Sequence, residues 1–238
     1  MAIKGIGIYA KADQGRASRL VQMFKNGGID KAQVALAEVT FASQPKAKTT
    51  LKGNAGTVDR LRYIVHNSKI YKGTSRLTNF VANGDTVHVV WVGHAQYSSA
   101  PGSSIKFLPH YGTRRADEGV LMSAKELART IFAVLGGAGH RVYPASLTII
   151  SCHSGLPRAE SHRQMADFGA PGIRPGRFTT SRDNNPLGWR VLQHLHALYA
   201  PPPATTCDVA APTVAFSGME MGQIAVPPTG ALWARAHL

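Results

Sequence analysis

Two residues capable of nucleophilic chemistry stand where apolar runs stop. In SLTIISCHSG (146–155) the run ends at Ser151-Cys152-His153, and in TVHVVWVGH (86–94) it ends at Gly93-His94. A structural cysteine belongs inside such a run, among Ile149 and Ile150, whereas Cys152 stands at its exit between small and polar residues. A free thiol titrates near pH 8.5, so only a few per cent is thiolate at about pH 7. A neighbouring imidazole raises that fraction, accepts the proton during attack on a carbonyl and returns it to the leaving amine. Such acyl transfer also needs N–H groups aimed at the developing oxyanion. The local candidates are the amide of Cys152 and the backbone just after His94, at Ala95, with Gly93 and Gly155 permitting close approach. A cysteine after a strand is by itself more often a packing residue than a nucleophile. The coincidence of two exits carries the reading.

The elements that would deliver these residues follow from pattern. IKGIGIY (3–9) reads as a first strand, and GRASRLVQMFKNGG (15–28) as a helix with Leu20, Val21 and Phe24 at helical spacing, stopped by Gly27-Gly28. QVALAEVTFA (33–42) fits a strand or a short helix. VDRLRYIVHNS (58–68) reads as a strand with Leu61, Tyr63 and Val65 on one side, and SRLTNFVANGD (75–85) as a helix ended by Asn83-Gly84. TVHVVWVGH has the near-continuous apolar character of a central strand covered on both faces. A Gly-, Pro- and Ser-rich loop is expected from Gln96 to about Gly119. MSAKELARTIFAVLGG (122–137) is the clearest helix: Ser123 and Glu126 form a capping-box pattern, Leu127, Ile131 and Leu135 a stripe, and Gly136-Gly137 a stop. Strand, loop, helix and strand thus frame His94 and Cys152 as a βαβ unit with parallel neighbours and a right-handed crossover. The two exits would then open onto one edge, their backbones about 5 Å apart. Further on, GWRVLQHLHALYA (188–200) reads as a helix, PTVAFSG (212–218) as a strand and GQIAVPPTGALWA (222–234) as a terminal hairpin.

Length and composition bound the rest. A chain of 238 residues with 44% hydrophobic and 17% charged residues suits one globular domain over 1–238, and shows neither an internal repeat nor a low-complexity linker. It has no apolar stretch near the roughly 20 residues of a membrane-spanning helix. The start, MAIKGIGIYAKADQG, lacks a signal-peptide plan. Two cysteines make no disulfide framework, so a cytoplasmic protein, or an effector secreted without an N-terminal signal, is expected. Lys and Arg number 27 against 13 Asp and Glu, a net charge of +14, with an isoelectric point near 10.2. That balance favours a polyanionic partner: nucleic acid, an acidic membrane surface or a highly phosphorylated small molecule. The densest basic stretch comprises Lys46, Lys48, Lys52, Arg60, Arg62, Lys69 and Lys72. The absence of a Lys/Arg run, of zinc-finger spacing and of interleaved aromatics argues against nucleic acid. Cys152, His153 and His162 match no usual zinc spacing, His194 and His196 fall on different helix faces, and no metal is expected. His153 should alternate away from Cys152. Cys207, in a Pro-rich loop, is read as structural or incidental, and Trp91 and Trp233 as core.

Three stretches in order, NGDTVHVVWVGHA, LMSAKELARTIFAVL before LTIISCHSG, and VAFSGMEMGQIAVPPTGALW, give the chain a likeness to a known family. It resembles the caspase-like clan CD cysteine peptidases, most nearly the inositol-hexakisphosphate-activated cysteine protease domains of bacterial toxins, over roughly residues 75–235. The resemblance implies a caspase-like α/β sandwich, with a mostly parallel central sheet, helices on both faces and a C-terminal β-hairpin. It implies a thiol protease, a hydrolase of peptide bonds, with a His94–Cys152 dyad and no obligatory third member. It also implies inositol hexakisphosphate as an allosteric activator on a basic surface, a hairpin flap linking that surface to the site, an apolar pocket for a P1 leucine, and self-cleavage. Two features depart from the pattern: Ala95 stands where the family usually has glycine, and the segment from about Gly169 to Pro186 is longer.

The expected function is therefore that of a cysteine endopeptidase acting on protein or peptide substrates, of the toxin or effector kind. Cys152 is the nucleophile, His94 the general base and acid, and the Cys152 and Ala95 amides the oxyanion hole. The lysines and arginines from Lys46 to Lys72 are the candidate ligand-binding residues. The rival is a catalytically inactive caspase-fold protein that docks nucleic acid or acidic lipid through its basic surface. Other acyl transfers by the same dyad are not separable from hydrolysis by sequence.

Overall fold

The apolar run at residues 86–92 becomes the middle of a sheet. The computed structural model describes residues 1–10, 15–41, 61–67, 69–70, 80–96, 104–107, 120–135, 142–151, 154–155, 185–202, 204–212, 220–230 and 233–238. In chain order the elements are β1 (Ile3–Ala10), α1 (Ala17–Asn26), β2 (Val34–Phe41), β3 (Leu61–Asn67), β4 (Lys69–Ile70), β5 (Thr86–Val92), β6 (His94–Gln96), β7 (Ser104–Phe107) and β8 (Val120–Ser123). There follow α2 (Ala124–Val134), β9 (Ser146–Ile150), α3 (Leu187–Tyr199), β10 (Asp208–Pro212) and β11 (Trp233–His237), with 3-10 turns at Lys31–Gln33 and Glu220–Gln223.

Eight strands form one sheet in the order β11-β10-β9-β5-β1-β2-β3-β4. The five from β10 to β2 are mutually parallel, and antiparallel strands flank them on both sides. Period-two alternation splits the central strands between two apolar layers. Ile6, Ile8, Val87, Val89, Trp91, Leu147, Ile149, Val209 and Ala211 meet α2 and α3 on one face. Tyr9, Val90, Val92, Ile150 and Ala210 share the other with α1 and with Met221 and Val226. The protein is thus an α/β structure with a largely parallel sheet and helices on both faces.

Each helix turns a stripe at i, i+3, i+4 spacing toward the sheet. In α1 the stripe is Leu20, Met23 and Phe24; in α3 it is Leu187, Gly188, Val191, Leu192 and Leu195. α1 lies close on β1 because Gly5 carries no side chain there: a Cβ would stand 2.7 Å from the Phe24 ring. The amino end of β1 is tied to that of β5. The Ala2 N–H donates to Asp85 Oδ1 at 2.8 Å and the Ala82 N–H to Oδ2 at 3.0 Å, while the Thr86 N–H donates to the Ala2 carbonyl at 2.9 Å. Those donated bonds hold the Asp85 carboxyl below its ordinary pKa. No helix among the described residues is long and apolar enough to cross a membrane.

Of the two readings open for residues 33–42 the strand holds, as β2. Other sequence expectations are corrected. The stretch expected as a loop after Gln96 contains β7, which pairs with β6 and β8 in a separate three-stranded antiparallel sheet; polar turn residues around four strand residues masked it. The last described parallel strand is Asp208–Pro212, ahead of the expected PTVAFSG, whose residues after Pro212 lie outside the described residues. Alternation there is hidden because three of its five residues are alanine or proline. The terminal hairpin over residues 222–234 is absent as such: β11 pairs instead with β10, across a connection that includes the Glu220–Gln223 turn. Of the helix expected at 75–83, residues 80–84 form turn and bend, and 75–79 lie outside the described residues.

At the amino edge of the sheet, His88 Nδ1 and Ser146 Oγ share a 2.7 Å hydrogen bond between β5 and β9. Burial pushes the His88 imidazole below the usual histidine range. The unfolded chain, titrating near 6.5, therefore binds the proton more readily than the folded one. The resulting stability is fully present above that pH and is lost as pH falls toward the folded value. Chemical denaturation at about pH 7.5 and about pH 5.5 should show a larger loss for the wild type than for His88→Gln.

Candidate active site

The geometry begins with register. β5 and β9 are parallel neighbours, paired from His88↔Ser146 to Val92↔Ile150, and the Gly93 N–H extends the ladder by donating to the Ile150 carbonyl at 3.0 Å. In the chain, His94 and Cys152 each follow their strand's last ladder pair by two positions. The two strands, about 4.8 Å apart, thus end together at one carboxyl edge, where Gly93 precedes His94 and Ser151 precedes Cys152 in the chain. Ser151 and Ser154 are described on either side, whereas Cys152 and His153 lie outside the described residues, as does the His94 side chain.

The edge is also the place where the fold opens. Reading the parallel strands across as β2-β1-β5-β9-β10, the chain winds outward one way from β1 and the other way from β5. A doubly wound sheet leaves its ligand crevice beyond the strand ends at that reversal. β5 borders the reversal and β9 is the next strand.

After β9 the chain is fixed by four bonds. The Ser154 N–H donates to the Ser151 carbonyl at 3.1 Å, and the Gly155 N–H to the Pro212 carbonyl of β10 at 2.9 Å. The Ser154 hydroxyl donates to the Ile149 carbonyl at 3.2 Å. The Gly188 N–H in the first turn of α3 donates to the Ser154 carbonyl at 3.3 Å. α3 reaches this far because residue 188 is glycine, where a Cβ would stand 3.0 Å from that of Ala211. Ser151 and Ser154 are buried, and the Ser151 hydroxyl has no hydrogen-bond partner among the described residues.

Two electrostatic consequences follow. α3 begins after Pro186 with no side-chain cap and no acidic residue in its first turn, and the Arg190 Nε–H donates to the Asn185 carbonyl at 3.1 Å, beside that end. A helix amino terminus favours an adjacent negative charge by about 0.3–1 kcal/mol, and such ends lower thiol pKa values. The amides of Gly93, Ser154 and Gly155 are all committed to carbonyls. The expected oxyanion donors remain Ala95, which pairs with Ile105 in the β6–β7 ladder, and Cys152.

Of the basic residues expected to bind a ligand, two have a described position. Arg62 stands on β3 and Lys69 on β4, beyond β1 and β2 from the dyad strands; three strand spacings separate β3 from β5, about 14 Å. Lys46, Lys48, Lys52, Arg60 and Lys72 lie outside the described residues. Trp91 and Trp233 are core residues. Cys207 is fully buried, its backbone exchanging bonds of 2.8 and 3.2 Å with Leu238, and burial pushes its thiol pKa up. Among the described residues, no three His, Cys, Asp or Glu side chains are grouped to hold a metal ion. The clamp at Ser154, Gly155 and Gly188 escaped sequence reasoning. Its signals were Ser-Gly after the candidate nucleophile and a glycine one residue inside a helix start.

Compared with known protein families the chain matches none, and no curated protein matches it significantly.

Proposed function

We propose that this protein is a cysteine endopeptidase of the caspase-like type, with Cys152 as nucleophile and His94 as general base and acid. The observation that carries the proposal is the adjacency of β5 and β9 in parallel register, with both residues at equal offset past it. In this reading the Cys152 thiolate attacks the substrate carbonyl, and the amides of Cys152 and Ala95 hold the oxyanion. His94 passes its proton to the leaving amine, and water then releases the acyl group. The uncapped end of α3 against Ser154 adds to the thiolate's stability. The resemblance supplies an apolar P1 residue, self-cleavage, and activation by inositol hexakisphosphate at the basic residues from Lys46 to Lys72, in a toxin or effector protease that works in a cytoplasm. The +14 charge suits such a ligand. The same charge, together with Ala95 in place of the family's glycine, favours the second reading, a binding protein that docks a polyanion without chemistry.

Selective alkylation separates the two. With an iodoacetamide probe near pH 7, Cys152 should react at least about 100-fold faster than the buried Cys207 of the folded protein, and the rate should fall in His94→Ala. Equal slow rates at both cysteines would favour the binding protein.

A further inference from the structure

A buried hydroxyl and an uncapped helix end meet on the side of the sheet that α2 and α3 cover. In β9, Leu147 and Ile149 belong to the layer beneath those helices, and Ile150 belongs to the opposite layer. The ladder runs on through the bond from the Gly93 N–H to the Ile150 carbonyl, so alternation puts Ser151 on the same side as Ile149. Ser151 is 2% exposed, and its Oγ has no hydrogen-bond partner among the described residues. Buried hydroxyls are ordinarily bonded, and one that is not calls for an acceptor. The element over this side is the first turn of α3. A Cβ at Gly188 would stand 4.0 Å from Ile149 Cγ1. The Gly188 N–H donates to the Ser154 carbonyl at 3.3 Å, and the Ser154 N–H closes the turn onto the Ser151 carbonyl at 3.1 Å. Ser151 thus follows Ile149 along one face, toward the amino end of the helix.

That end favours negative charge. α3 has 13 residues, no side-chain cap and no acidic residue in its first turn. Its first intrahelical bond runs from the Arg190 N–H to the Pro186 carbonyl at 3.1 Å, and the Arg190 Nε–H donates to the Asn185 carbonyl at 3.1 Å, which keeps a guanidinium beside the helix start. Helix amino ends of this kind receive phosphate and carboxylate groups. We infer that Ser151 and the amino end of α3 form a binding site for a single oxyanion, the phosphate or carboxylate group of a small ligand. The Ser151 hydroxyl donates to one of its oxygens, and the helix end and Arg190 balance its charge. Ser151, Asn185 and Leu187 are all buried, so the site takes a compact terminal group rather than a polyphosphorylated ring. The inference is independent of the peptidase reading, because neither His94 nor Cys152 takes part.

The test reads stability against anion concentration. Wild type, Ser151→Ala and Arg190→Gln are unfolded in urea near neutral pH in rising inorganic phosphate or acetate, with chloride holding the ionic strength constant. A ligand of the native state raises the unfolding midpoint with the logarithm of its concentration once above its Kd. Wild type should show that rise with at least one of the two anions, and the more effective one tells a phosphate ligand from a carboxylate. Ser151→Ala should need about tenfold more anion for the same gain. In chloride alone it should be no less stable than wild type, because the hydroxyl it loses has no partner. Arg190→Gln should also weaken the response, whatever its stability in chloride. Equal gains in wild type and Ser151→Ala would assign the effect to the basic surface at large and overturn the site. So would no gain with either anion, or a loss of stability in Ser151→Ala that is the same with and without them.

Discussion

Replacing Cys152 with alanine is expected to lower kcat/KM for peptide hydrolysis on the order of 10⁴-fold or more, to the level left by binding and oxyanion contacts alone. The loss is this large because no other described group at the edge can form an acyl intermediate. Ser151 and Ser154 are buried, Ser154 has its hydroxyl committed to Ile149, and Cys207 is in the core. His94→Ala removes the base but leaves the thiol in place, so the loss should be smaller, about 10²- to 10⁴-fold. It should shrink further as pH rises toward the thiol's own titration. The double variant should be no worse than Cys152→Ala, because the two residues act as one unit. Steady-state kinetics on one cleaved peptide, with all three variants, checks the ranking.

The second large effect concerns the frame. Trp91 is fully buried and pairs with Ile8 on one side and Ile149 on the other. It packs in the layer that α2 and α3 cover. Trp91→Ala should cost about 3–5 kcal/mol through lost burial and an unfilled cavity, a large part of the 5–15 kcal/mol typical of a domain. Trp91→Phe should cost markedly less. Urea denaturation gives the difference directly. Trp91 is three residues before His94, so a repacked variant that still folds should also lose kcat more than it raises KM.

Much of the frame was legible because the central elements obey single periodicities. Covered strands such as Thr86–Val92 and Ser146–Ile150 are continuous apolar runs, buried almost throughout, and Leu127 and Ile131 mark the helix between them as an i, i+4 stripe. The adjacency of those two strands followed from the βαβ pattern, and the register bears it out. What stayed hidden is short or weakly patterned. β7 has four residues, and β10 is built from small residues that need no alternation because α3 approaches through Gly188. The partner of β11 depends on a pairing between residues over twenty positions apart, which no local pattern encodes. The Ser154 clamp likewise exists only through bonds to β9, β10 and α3.

The central claim is that Cys152 and His94 form a peptidase dyad at the joint exit of β5 and β9. It is tested most directly by incubating wild type and Cys152→Ala with a randomised peptide library, with and without inositol hexakisphosphate, and sequencing the new termini by mass spectrometry. The account predicts cleavage by wild type alone, at peptide bonds sharing one P1 preference, and more of it when the inositol phosphate is present. Identical termini from wild type and Cys152→Ala, or no cleavage in any condition, would contradict it.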